Sequence, residues 1–129
     1  MEVTGPLAIN IEHMDFRYKD NEKASFSDLN LQINKGIRFG LFGPNGAGKT
    51  TLMNLMTGVL SADEGSIKLL GRTVGKHNKE VNKLFGFVPQ DFSFYQELSP
   101  VENLEFFGAW AGLSQKQITD RTNELLHIL

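Results

Sequence analysis

The residues with the clearest chemistry run from Gly43 to Thr50 and read Gly-Pro-Asn-Gly-Ala-Gly-Lys-Thr. They fit the pattern G-x-x-x-x-G-K-[ST] at every fixed position. Glycines let such a loop curl until successive backbone N–H groups point inward, which forms a concave site for phosphate oxygens. The lysine adds positive charge for the outer phosphates, and the threonine hydroxyl can ligate Mg²⁺. The pattern predicts a nucleoside triphosphate site that uses Lys49 and Thr50.

The stretches on either side of this loop are expected to position it. Residues 37–42 form a short, mostly apolar, β-prone run, which predicts a strand that ends at the loop. Residues 51–57 predict a helix that Gly58 closes. A strand before the loop and a helix after it are the context in which the pattern binds phosphate. This context favours a phosphate site over the alternative interpretation, a plain glycine turn between two elements.

Alternating apolar residues predict strands on both sides of the loop unit. Residues 7–16 predict the first strand, with Leu7, Ile9, Ile11 and His13 on alternate positions. The other predicted strands cover residues 29–33, 66–70 and 85–88.

Three helices are predicted after the loop unit. Residues 78–84 predict a short one. Ser99 and Glu102 flank a proline at the first helical position, which is a strong helix start. Ser114 and Gln117 repeat the capping box and predict a last helix. The C-terminal third is therefore expected to be helical.

Composition excludes several classes of protein. The 129 residues amount to one ordinary domain. The formal net charge is −2, and the 13 Lys and Arg residues are scattered among 15 Asp and Glu residues. No basic patch is evident, so no nucleic-acid partner is expected. The chain has no cysteine, which excludes disulfides and thiolate metal sites. No apolar run approaches the roughly 18 residues that span a bilayer, so any membrane role is expected to be peripheral.

Four features, in this order, resemble the ATP-binding domain of ATP-binding-cassette (ABC) proteins. The first is an aromatic after the first strand, Tyr18, and the second is the phosphate loop extended by Thr51. The third is Asp-Glu-Gly-Ser-Ile at residues 63–67, which resembles the family's turn into an antiparallel strand. The fourth is Phe-Val-Pro-Gln at residues 87–90, which resembles its glutamine loop. The C-terminal stretch is most similar to exporter cassettes.

This resemblance implies a fold class and a division of the chain. The fold is α/β, a P-loop nucleoside triphosphate hydrolase of the ABC ATPase type with an N-terminal antiparallel β-subdomain. Residues 1–129 would form an incomplete ABC ATP-binding domain that is truncated within its helical subdomain. Residues 1–98 would be the nucleotide-binding core with the β-subdomain, and residues 99–129 the start of the helical subdomain.

The resemblance also implies a role for each matching residue, with ATP and Mg²⁺ as cofactors. Tyr18 would stack on adenine; the alternative is an aromatic packed on the core at a strand end. Gln90 would position the attacking water and, with Thr50, approach Mg²⁺; the alternative is an ordinary exposed loop glutamine. Lys49 would join Gln90 in catalysis. The phosphates would be held by Gly43, Asn45, Gly46, Ala47, Gly48, Lys49, Thr50 and Thr51.

Three elements of the family have no match in this sequence. These are the Leu-Ser-Gly-Gly-Gln signature, an apolar strand ending in Asp-Glu, and a switch histidine. Without the acidic residue the chain is expected to bind ATP weakly and to hydrolyse it negligibly. The resemblance also implies that strands 37–42 and 85–88 lack their neighbours in the sheet. We therefore expect this chain to be the start of a longer protein.

The expected function follows from the family. The leading hypothesis is the N-terminal part of an ATP-hydrolysing ABC transporter subunit, on the cytoplasmic face of a membrane. Its partners would be a transmembrane permease subunit and a second ATP-binding domain in a head-to-tail dimer. One rival is a soluble ABC protein of translation or DNA maintenance; another is a non-catalytic nucleotide-binding fragment. Co-purification with a membrane protein separates the first from the soluble rival.

Overall fold

The computed structural model describes residues 5–75, 78–88 and 93–128, with the backbone alone for Lys79. The chain divides into two compact units. The first ends at Phe87 and the second begins at Val88. The proposed functional boundary between residues 98 and 99 stays a prediction.

The first unit is built on a four-stranded antiparallel sheet with the order β2-β1-β3-β4. The strands are β1 (Leu7–Phe16), β2 (Phe26–Asn34), β3 (Glu64–Leu69) and β4 (Arg72–Thr73). This sheet confirms the predicted antiparallel subdomain and the predicted strands at 7–16, 29–33 and 66–70.

Two helices belong to the same unit. They are α1 (Lys49–Met56) and α2 (Lys79–Asn82). They confirm the predicted helices at 51–57 and 78–84, although α1 begins two residues earlier and α2 is shorter than predicted. Leu52 and Leu55 of α1 are buried in one cluster with residues from β1 and β3. The helix that follows the phosphate loop is thus fixed to the sheet by apolar packing. The sheet contributes Ile11, Met14, Phe16 and Ile67 to this cluster.

The strict alternation predicted for β1 is wrong, because the strand carries a bulge at His13. Ile11 pairs with Leu31 and Met14 with Leu29, so β1 has one extra residue between these pairs. The extra residue is His13, which has a left-handed φ of 49° and an exposed side chain. Past the bulge the buried positions shift by one residue, so Met14 and Phe16 face the core.

Three neighbouring strands adopt left-handed backbone at this level of the sheet. Besides His13, Asp28 of β2 has φ 51° and Gly65 of β3 has φ 79°. The His13 N–H donates to Asn30 Oδ1 at 3.0 Å, and the Asp28 N–H donates to Asp15 Oδ1 at 2.6 Å. These bonds satisfy backbone groups that the bulges remove from the ladder.

The predicted strands at 37–42 and 85–88 are also wrong, since neither segment forms a strand. Ile37, Phe39 and Phe42 are more than half exposed, and Val88 is 92% exposed. A strand needs a hydrogen-bonded neighbour, and no strand in the described part of the chain pairs with either segment. These segments are therefore irregular, although their residues are apolar and β-prone.

The second unit is a pair of helices, α3 (Pro100–Trp110) and α4 (Gln115–Ile128). The predicted capping box of α3 is confirmed, since the Ser99 N–H donates to Glu102 and the Glu102 N–H donates to Ser99 Oγ. This bonding lowers the pKa of the Glu102 carboxyl. A Cβ at Gly108 would come within 3.1 Å of Ile118, so the two helices pack closely.

Gly65 is expected to be irreplaceable because of its neighbour in β1. An added Cβ would overlap the carbonyl oxygens of His13 and Glu12. Gly71 is the matched control, since it has nearly the same φ of 81° but open space around a Cβ. Left-handed strain costs both alanine variants about 1–2 kcal/mol. Gly65→Ala should lose a further ~1–3 kcal/mol from overpacking, as measured by urea unfolding. Equal losses in the two variants would contradict this account.

The acid sensitivity of the sheet is expected to depend partly on Asp28. Its Oδ1 lies 2.6 Å from His13 Nδ1, and this bond, followed by that from Asn30, lowers the pKa of Asp28 below its ordinary 3.8. A depressed pKa stabilises the fold above pH 3.8, and that stability is lost as the pH falls through the folded value. Asp28→Asn should flatten the loss of unfolding free energy below pH 4, whereas Asp20→Asn in the exposed turn should not. Parallel profiles for wild type and Asp28→Asn would refute this role.

Candidate phosphate-binding site

The loop between residues 43 and 50 has the curled backbone that the pattern predicts. Gly46 and Gly48 have left-handed φ values of 83° and 87°, a conformation that side chains with a Cβ disfavour. The Ala47 N–H donates to the Pro44 carbonyl at 3.2 Å, which closes a turn inside the loop. Gly48 is the N-cap of α1, so the loop runs directly into the helix.

The start of α1 is open to an anion. No side chain caps it, and its first turn contains no acidic residue. The first N–H groups of a helix have no partner within the helix, and the helix dipole makes this end partly positive. Thr50, in this first turn, is exposed. Such an end can accept phosphate oxygens directly on backbone N–H groups.

Lys49 lies back across the loop. Its Nζ donates to the carbonyl oxygens of Gly43 at 2.6 Å and Pro44 at 2.7 Å. The ammonium group is therefore held at the mouth of the loop by neutral acceptors, and no carboxylate pairs with it in the described part of the chain. Its positive charge remains uncompensated and available to a bound anion.

The sheet holds the loop through Phe26, the first residue of β2. A Cβ at Gly48 would come within 2.9 Å of Phe26 Cζ. The ring thus lies against the glycine that caps α1, and both the left-handed φ and the space require glycine there. Sequence reasoning missed Phe26, because nothing in the pattern of β2 distinguishes it from a core residue.

Tyr18 also reaches α1 from the sheet. Its hydroxyl lies 3.1 Å from Thr51 Oγ1, across 33 residues of chain. Its ring makes an edge-to-face contact with Phe16 at a centroid distance of 4.9 Å. Tyr18 is still 39% exposed, so it is not simply a core aromatic. The structure therefore places the Tyr18 hydroxyl beside the first turn of α1, while the role of its ring in stacking on adenine stays a prediction.

The remaining predicted positions divide into two groups. Gly43, Asn45 and Ala47 are exposed in the loop, next to the start of α1. Gln90 lies outside the described residues, so its predicted role at Mg²⁺ and the attacking water stays a prediction. The described residues contain no group of three or more His, Asp or Glu that could hold a metal ion. A Mg²⁺ ion would fit here as a companion of bound phosphates, its usual mode of binding, with the exposed Thr50 as the candidate protein ligand.

The sequence is similar to those of known ATP-binding proteins. A sequence model described as ABC transporter matches residues 26–129. The chain is 40% identical over 120 residues to the Nod factor export ATP-binding protein I of Cupriavidus pinatubonensis, covering 93% of this chain and 37% of that protein. It is 35% identical over 105 residues to the linearmycin resistance ATP-binding protein LnrL of Bacillus subtilis, covering 81% and 34%. The chain thus spans about a third of these relatives' lengths.

Solved structures show the same fold. The cbiO1 protein of Clostridium perfringens, part of the ABC transporter complex cbiONQ, superposes with a TM-score of 0.82 at 22% identity, over 95% of this chain and 50% of that one. The ATP-binding cassette MJ0796, solved as a dimer bound to ADP and Pi, gives 0.74 at 24% identity, over 92% and 56%. With the family match over residues 26–129, the chain belongs to the ABC transporter family, and its fold is that of an ABC ATPase cassette in part.

Proposed function

We propose that this chain is the N-terminal part of the ATP-binding subunit of an ABC transporter and that it binds the triphosphate of ATP. The observation that carries the proposal is the uncapped start of α1, which follows two left-handed glycines. Beside it lies the Lys49 ammonium, which is bonded to loop carbonyls and has no carboxylate partner among the described residues. Backbone N–H groups and one mobile cation are what a triphosphate needs, because its charge is spread over many oxygens. The relatives named above, an export protein and a resistance protein, support transport as the setting.

The proposed roles follow the geometry. The phosphates lie in the loop from Gly43 to Thr51, with Lys49 turning from the loop carbonyls to the outer phosphates. Thr50, exposed in the first turn of α1, ligates Mg²⁺. Tyr18 offers its partly exposed ring to adenine, because a flat ring stacks on a base without reading its edges. For Gln90, which lies outside the described residues, we propose the role that the family resemblance implies, which is to position water near the metal.

The proposed partners are a transmembrane permease and a second ATP-binding domain. Two similar proteins support them: cbiO1 belongs to a transporter complex, and MJ0796 was solved as a dimer. No helix in the described residues has the length and apolarity to cross a bilayer. In our proposal the chain lies on the cytoplasmic face of the membrane and reaches it through the permease.

Removing the lysine charge should weaken ATP binding strongly. A hydrogen bond to a charged group contributes about 1.5–3 kcal/mol, so Lys49→Ala should raise the Kd for ATP about 10- to 100-fold. Isothermal titration calorimetry with Mg²⁺ present measures this change. Lys35→Ala, an exposed lysine in the turn after β2, is the control and should leave the Kd unchanged. ATP binding by wild type and Lys49→Ala with the same Kd would rule out the proposed site.

ATP hydrolysis by this chain alone should be negligible. The sequence has no apolar strand ending in an acidic pair, so nothing here polarises the attacking water. Acid–base assistance is worth about 10²- to 10⁴-fold in rate, and the phosphate-release rate should be at least about 100-fold below that of an intact cassette. A colorimetric phosphate assay with Lys49→Ala as the background measures it. Turnover equal to that of an intact cassette would overturn the proposal.

A further inference from the structure

The hydroxyl of Thr51 is bonded differently from those of Thr57, at the end of α1, and Thr119, in α4. A threonine within a helix commonly donates to the carbonyl four residues earlier. Thr57 does so with Met53 at 2.9 Å, and Thr119 does so with Gln115 at 3.1 Å. Thr51 is instead paired with the Tyr18 hydroxyl at 3.1 Å, and the residue is only 9% exposed. The pairing is therefore a contact between the sheet and the helix.

The number of protons determines which hydroxyl of the Tyr18–Thr51 pair donates the hydrogen bond once an anion is bound. A hydroxyl carries one proton and two acceptor lone pairs. If Thr51 donates its only proton to a phosphate oxygen, it can bond Tyr18 only as an acceptor. Tyr18 is then the donor, and its O–H directs the Thr51 proton toward the phosphates. Hydrogen bonds arranged in such a chain strengthen one another.

The tyrosine ring is held in a way that suits this role. Phe16 contacts the ring edge-to-face, and Thr51 holds the hydroxyl at the far end. The bulge at His13 gives Phe16 its buried position, and Tyr18 follows two residues later. Because the tyrosine side chain is held both at its ring and at its hydroxyl, it does not have to become ordered when a ligand binds. No binding free energy is then lost to that ordering.

We propose that the Tyr18 hydroxyl is a positioning group for phosphate: it donates to Thr51 Oγ1 and so orients the Thr51 proton toward the bound triphosphate. This rests on the proposed function and adds to it a role for the hydroxyl that is independent of adenine. Stacking needs only the ring, which phenylalanine also has. If Tyr18 acts only by stacking, Tyr18→Phe should bind as well as wild type. If its hydroxyl also positions Thr51, Tyr18→Phe should bind more weakly.

The experiment measures the Kd of ATP and of tripolyphosphate, which has no base, for Tyr18→Phe, Thr51→Val and the double variant. Tyr18→Phe should weaken both ligands about 3- to 10-fold, the loss expected for one hydrogen bond. The double variant should bind no more weakly than Thr51→Val, because the two hydroxyls act through one chain. Thr51→Ser, which keeps the hydroxyl, should restore binding. Tyr95→Phe, at the chain's other tyrosine, is the matched control and should change neither Kd.

The thermal unfolding midpoint of each variant separates positioning from folding, and Tyr18→Phe should lose affinity with a midpoint close to wild type. Unchanged tripolyphosphate binding in Tyr18→Phe overturns the inference and leaves the proposed function intact. Fully additive losses in the double variant overturn it too. A wild-type chain that binds neither ligand overturns both the inference and the proposed function.

Discussion

The first turn of α1 is the constraint on which the site depends. Its backbone N–H groups receive no capping side chain, and the loop before it turns through left-handed glycines. Because the N-cap residue is Gly48, the missing side-chain cap costs roughly a few tenths of a kcal/mol relative to a good cap. That cost is compensated by apolar packing, since Leu52 and Leu55 anchor the helix in the core of the sheet unit. The exposed polar start of α1 is thus available to bind an anion, while its buried apolar side anchors the helix to the sheet.

The β1–β2 hairpin holds this helix start at two points. Phe26 lies against Gly48, and the Tyr18 hydroxyl bonds Thr51. Both contacts depend on the register of the sheet, and the bulge at His13 sets that register by moving Phe16 to the core face. A one-residue change of register would turn every later side chain of β1 to the opposite face. The bonds that join His13 to Asn30 and Asp28 at the bulge therefore affect how the loop is held, although they lie far from it in sequence.

The sequence predicted the parts of the fold that local rules govern. The phosphate loop, the helix after it and the capping box at Ser99 follow from glycine geometry and capping chemistry, which act within a few residues. The strand at 37–42 was predicted from composition alone and is absent, because a ladder needs a partner and composition does not supply one. The bulge at His13 was missed for a similar reason: its cause lies in bonds to Asn30 and Asp28 on another strand.

The central claim is that a triphosphate binds on the backbone of the loop and the first turn of α1. The most direct measurement is a titration of ¹⁵N-labelled chain with ATP and Mg²⁺, followed by amide chemical shifts. The account predicts that the largest shifts fall on Gly46, Gly48, Lys49 and Thr50, with a smaller group at Tyr18. Shifts that are absent, or that are largest on α3 and α4, would contradict it.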